Sequence, residues 1–248
     1  MSRMTNRNEA NVWNTPWTRG DVMVAADAPV ADRVTFIRKT YLHLAGAVLA
    51  FTALMAVIMQ LPVTASFVQM LGTSRGGMLV LMLAFMAVAY LAQRLAESEA
   101  SAGMQYLGLG LYIVIEAVIF TPLIYIAANF GPPNVLLTAA GATGALFLGL
   151  TAVVFLTKAD FSFMRIVLAM ASIAALVAIV ASMLFGFSLG IWFTVAMIFL
   201  ASCYISYETS NVLHHYRTTQ HVAASLALFA SVMLLFWYIL RFFMQRRD

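Results

Sequence analysis

Two acidic residues fall inside long apolar runs, and they define the chemistry open to this chain. Glu116 sits within Leu111-Tyr112-Ile113-Val114-Ile115-Glu116-Ala117-Val118-Ile119-Phe120. Glu208 ends the run that begins near Gly190, in Tyr204-Ile205-Ser206-Tyr207-Glu208-Thr209-Ser210-Asn211. An ionisable group in hydrocarbon costs a few kcal/mol or more, so it faces a bundle interior or a wet cavity and marks a functional place. Burial disfavours the charged form of a carboxyl, and two carboxyls that approach each other share protons. A pair of this kind responds to pH. The blander reading of each residue is a single protonated Glu donating to a backbone carbonyl.

The composition sets the surroundings of that pair. The 248 residues are 63% hydrophobic and 10% charged, with a mean hydropathy of +0.91. Soluble domains carry roughly 25% charged residues, so this is an all-α integral membrane protein. A spanning helix needs roughly 20 apolar residues. Seven runs qualify: about 41–61, 78–95, 106–128, 135–156, 163–185, 189–213 and 222–243. Gly131-Pro132-Pro133-Asn134 breaks the third from the fourth, and Gly186-Phe187-Ser188 makes a tight hairpin between the fifth and sixth. The connections read as short. Residues 1–34 are polar and of mixed charge, and read as a disordered cytoplasmic tail ahead of a seven-helix domain, 35–248. The first apolar run starts too far in for a cleaved signal peptide.

Lys and Arg in short loops set orientation. Arg33, Arg38 and Lys39 precede the first helix, and Arg94, then Lys158 and Arg165, then Arg217 mark every second loop. The N-terminus and the even-numbered loops are therefore expected in the cytoplasm. Seven crossings place Arg241, Arg246 and Arg247 outside, against the local bias. The net charge of +4 is explained by basic cytoplasmic loops and calls for no nucleic acid.

Counting 1.5 Å per residue from the cytoplasmic ends, Glu116 lies about 16 Å deep and Glu208 about 9 Å. His214, His215, Arg217 and His221 cluster after the sixth helix, as a cytoplasmic mouth able to sense pH or as a plain solvated basic loop. Arg94 stands at the end of the second helix, as a charge partner for either acid or as a positive-inside anchor. Adjacent histidines do not share a helical face and no His-Glu-x-x-His spacing occurs, so no metal site is expected. The single Cys203 allows no intrachain disulfide. Absences argue against an enzyme and against cofactors: no Lys in the seventh helix for a Schiff base, no Asp within a span for a di-aspartyl protease, no Gly-x-Ser-x-Gly elbow and no P-loop.

The stretch Tyr207-Glu208-Thr209-Ser210-Asn211-Val212-Leu213-His214 resembles the Tyr-Asp-Thr element of the Bax inhibitor-1 (transmembrane Bax inhibitor motif) family, which is followed by an Asn and a His. Ala224-Ser225-Leu226-Ala227-Leu228-Phe229, Leu235-Phe236 and Leu240-Arg241 are similar to the family's closing helix. Lys39-Thr40-Tyr41-Leu42 with Ala50-Phe51-Thr52-Ala53, and Phe120-Thr121-Pro122-Leu123, are also similar to it. The resemblance covers about residues 33–243 and is to a bacterial member. It implies a bacterial inner-membrane protein with six helices around a central seventh. It also implies a pH-sensitive leak of calcium, closed by a latch of two aspartates. The first aspartate maps onto Glu208, with Tyr207 and Asn211 expected beside it in the pH-sensing ion pathway; the second falls at Ser231, where a hydroxyl replaces a carboxyl. Ser231 lies roughly 14 Å into its helix, near the estimated depth of Glu116. Glu116 is then the expected second acid, with Ser231 as its hydrogen-bond partner and a water spanning the offset to Glu208.

Three functions follow from this reading. The first is a cation leak channel with calcium as the permeant ion, since oxygen ligands suit calcium. The second is a non-transporting modulator or substrate of a membrane-bound quality-control protease, which resemblance to bacterial relatives suggests and which would grip the polar tail. The third is a small-solute or proton-coupled transporter, because intramembrane Glu residues also carry protons.

Overall fold

A computed structural model of the chain describes residues 23–73, 75–98 and 101–245. Eight helices follow in order: α1 Val30–Gln60, α2 Val63–Thr73, α3 Arg75–Ala96, α4 Ala102–Phe130, α5 Val135–Thr157, α6 Met164–Phe185, α7 Gly190–His214 and α8 His221–Gln245. No strand occurs among the described residues. All of these helices but α2 are long and apolar enough to cross a membrane, and they coincide with the seven expected runs. The extra helix, α2, has eleven residues, about 16 Å at 1.5 Å per residue, and packs against α3 and α4. Leu61-Pro62 interrupts the pattern ahead of it, so the first connection, expected to be a short loop, is itself helical.

Local chemistry sets the helix ends. Ser101 Oγ accepts from the Met104 N–H at 3.3 Å and caps α4. Gly186 ends α6 at φ 76°, a left-handed conformation that a side chain would strain. The start of α1 differs from the expected end of the tail at residue 34. Pro29 stands at its N-cap and Asp32 in its first turn, where a negative charge favours the helix dipole. Just before it, Val24 pairs antiparallel with Arg217, and the Ala25 N–H donates to the Tyr216 carbonyl at 2.8 Å. Ala25 is buried, so the segment from Met23 belongs to the bundle. The rest of the expected tail, residues 1–22, lies outside the described residues, as do Arg246 and Arg247.

The two most buried spans are α8 and α4. Helix α8 packs against α1, α3, α4, α5 and α7, while α6 packs on α7 and α3. The expected ring of six helices around the last is not closed on the α6 side, because a cavity lies there instead.

Candidate functional site

Helix α4 carries the first acid at its midpoint. Tyr112, Glu116 and Phe120 recur every four residues, so they share one helical face, and all three line a cavity of about 720 Å³. Six residues past Glu116, Pro122 leaves the Val118 carbonyl without its usual N–H donor. Glu116 is 4% exposed, and its Oε2 atom is buried without a hydrogen-bond partner. Buried polar atoms are nearly always paired, and the protein itself supplies no donor or acceptor for this oxygen.

Helix α7 carries the second acid one and a half turns from its end. Glu208 Oε2 accepts from Asn211 Nδ2 at 3.2 Å and from the Tyr216 hydroxyl at 3.4 Å. Burial of the Tyr216 hydroxyl pushes its pKa well above the ordinary phenol value, which keeps it a proton donor. One turn earlier on α7, the Tyr204 hydroxyl meets Ser172 Oγ of α6 at 2.8 Å. Glu208 and Tyr204 both line the same cavity as Glu116.

A second cavity, of about 160 Å³, adjoins Glu208 on the side of the α7–α8 loop, with Glu97 and Tyr216 in its wall. Glu208, Gln93 and Ala227 line both cavities. The Glu208 carboxyl therefore stands at the junction of a small polar vestibule and a long, mostly apolar chamber, whose other end is bounded by Phe187, Leu189 and Arg241.

The remaining expected site residues divide. Ser231 is buried and lines the large cavity, but its Oγ donates to the Ala227 carbonyl of its own helix at 3.0 Å. It is not the expected hydrogen-bond partner of Glu116. Arg94 pairs with neither acid: its Nε donates to the Tyr90 hydroxyl at 3.1 Å, and its guanidinium lies over the Tyr90 ring. Tyr207 is half-buried and lines neither cavity. His214 Nδ1 meets the Ser210 carbonyl one turn back at 3.0 Å, and Arg217 pairs through its backbone with Val24. His215 Nε2 lies 3.2 Å from Asp160 Oδ1 in the α5–α6 loop. No cluster of three or more His, Cys, Asp or Glu able to hold a metal occurs among the described residues.

The Asp160 carboxyl is held below the usual carboxylate range, first by the Ser162 N–H and then by His215. A depressed carboxyl contributes stability above its unfolded pKa and loses it as pH falls through the folded value. Both partners are exposed, so the contribution is small. Asp160→Asn is expected to lower thermal stability by less than about 1 kcal/mol at neutral pH. At about pH 3, below the ordinary Asp value, the melting curves of variant and parent should draw together.

Sequence comparison places this geometry among known proteins. Residues 33–248 match the family described as inhibitor of apoptosis-promoting Bax1. The chain belongs to the Bax inhibitor-1 family. An uncharacterized protein of Pasteurella multocida is 26% identical over 198 residues, covering 79% of this chain and 83% of its own length. The family match takes in all seven spans and both acids, including the Tyr207–His214 stretch.

Sequence reasoning missed several residues of the candidate site in this Bax inhibitor-1 family member. Tyr112 and Tyr204 each stand four residues before an acid, a spacing that puts them on the acid's own face, so a signal for them was present. Gln93 is a polar residue in the last turn of an apolar helix, a weaker signal. Tyr216 reaches Glu208 from the loop, and no helical spacing points to it.

Proposed function

We propose that this Bax inhibitor-1 family member is a cation leak pathway, permeable to calcium and sensitive to pH, with Glu208 as its gate and Glu116 as its mid-membrane acid. The carrying observation is that Glu208 lines both cavities. A cation entering the vestibule meets Glu97, then Glu208, then Glu116, a series of carboxylates that favours cations over anions. Oxygen ligands suit calcium, and the several ligands beyond one carboxylate come from water held in the cavities. Protonation of either acid removes the charge that a cation needs and replaces an acceptor by a donor, so flux depends on pH. On the positive-inside rule, the end bearing Arg33, Arg38, Lys39, Lys158, Arg165 and Arg217 faces the cytoplasm of a bacterial inner membrane, with the vestibule opening there.

Calcium flux from liposomes containing the purified chain, measured on either side of neutral pH, tests the proposal. The parent protein should conduct at rates that differ between the two conditions. Glu208→Gln keeps the volume of the gate but loses its titration, so its rate should differ less between them than the parent's does, with only the dependence carried by Glu116 remaining. An unchanged pH profile in Glu208→Gln, or no flux above protein-free liposomes in the parent, overturns the assignment.

A further inference from the structure

The large cavity is more than an ion path requires. Its volume of about 720 Å³ lies within the roughly 300–1,000 Å³ typical of small-molecule sites, which are mostly apolar with a few placed polar groups. Its wall is largely apolar and includes Phe85, Tyr112, Phe120 and Trp237. These rings brace one another. Phe85 and Tyr112 meet edge to face at 6.3 Å between centroids, and Phe120 and Trp237 at 4.9 Å. Among them stands Glu116, buried, with Oε2 unpartnered.

This set of groups matches one ligand chemistry. A resident calcium ion wants six to eight oxygens; on α4 the neighbours of Glu116 facing the cavity are Tyr112, Ile119 and Phe120, so calcium passes here in its own water and has no protein shell to hold it. An organic cation with apolar arms wants the reverse: one counter-charge, and aromatic faces that replace water around a diffuse positive centre. We propose that the cavity is a binding site for a hydrophobic organic cation, such as a quaternary ammonium or phosphonium, with Glu116 as its counter-ion and the four aromatic residues as its cage.

The other charged groups lie towards the two ends. Glu208 is at the vestibule junction, where Asn211 and Tyr216 already engage it. Arg241 is ten residues along α8 from Ser231, about 15 Å, and bounds the far end of the chamber. The middle of the cavity is left with a single acid. One wall comes from α3 and α6, the two least buried spans, through Met78, Met82 and Met183, flexible side chains that reshape around a ligand. The site does not depend on an inorganic cation crossing the protein, and its test reads binding alone.

The probe is tetraphenylphosphonium, titrated onto the full chain in phospholipid nanodiscs by equilibrium dialysis, with empty nanodiscs subtracted. The parent should show saturable binding. Glu116→Gln should weaken it at least tenfold, Glu116→Asp should restore it to within a few-fold, and Glu208→Gln, at the cavity's end, should weaken it less than Glu116→Gln does. Triphenylphosphine oxide, similar in bulk but neutral, should fail to compete. Trp237→Leu keeps the acid and removes one face of the cage, and should weaken binding several-fold. The proposal is overturned if binding is not saturable, if Glu116→Gln binds like the parent, if the neutral compound competes equally, or if Glu208→Gln rather than Glu116→Gln abolishes binding. A parent that binds the probe yet leaks no calcium leaves this site standing and removes the leak.

Discussion

Replacement of Glu116 by Gln is expected to cut calcium flux at least about tenfold, and replacement by Met to make the protein more stable. The two effects have one origin. Two unit charges about 4 Å apart attract by about 4 kcal/mol at an effective dielectric of 20. Losing even a third of that at the middle of the path, about 1.4 kcal/mol, is a factor of ten. The same carboxyl weakens the fold, because burial takes it from bulk water and no protein group pairs with Oε2; a buried polar atom without a full set of partners costs up to about 1–3 kcal/mol. Gln removes the charge but leaves a polar group; Met, of similar length, removes both. Glu116→Met should therefore regain about 1–3 kcal/mol in thermal unfolding while flux in liposomes stays as low as in Glu116→Gln. A destabilised Met variant would show that the carboxyl is satisfied in the folded protein and serves packing. Undiminished flux in both variants would remove Glu116 from the path.

The same residue shows what could be read without a structure. Its place in an apolar run was enough to mark it, because the cost of a charge in lipid depends on depth, and depth is a count of residues. All seven spans were legible for the same reason. Rotation about a helix axis and the choice of a hydrogen-bond partner are not counts of residues. Ser231 lies at a depth compatible with Glu116, but a hydroxyl inside a helix readily takes its own i−4 carbonyl, and it does so with Ala227. Arg94 was marked by its position at a helix end, yet it points its charge at Tyr90, four residues back on its own helix. Helix α2 escaped because eleven residues are too short for a hydropathy signal. Tyr216 escaped because the loop that brings it to Glu208 has no periodicity to read. The open α6 side escaped because a span that borders a cavity and one that packs tightly have the same hydrophobic composition.

The tightest seam in the bundle predicts the largest loss of stability. Helices α3 and α4 meet where Gly108 faces Ala92 and Ala96, a small-xxx-small pair that is fully buried. A Cβ added at Gly108 would lie 2.5 Å from the Ala92 carbonyl oxygen, 2.6 Å from the Ala96 nitrogen and 3.0 Å from Leu95 Cβ. Two of these are backbone atoms, so no side chain can swing away and the helices themselves have to part. Overpacking of a core typically costs about 1–3 kcal/mol. Gly108→Ala should fall in that range and Gly108→Val beyond it. Gly110, two residues on, meets nothing within 4 Å, and Gly110→Ala should be neutral or stabilising by up to about 1 kcal/mol, the helix-propensity gain. Equal effects at the two glycines would mean that helix propensity, not close approach, governs the seam. The seam also bears on the gate. Gln93, beside Ala92, lines both cavities with Glu208, so parting α3 from α4 widens the junction that Glu208 closes. Gly108→Ala should therefore raise calcium leak in liposomes even where it still folds, whereas Gly110→Ala should leave the leak at the parent rate.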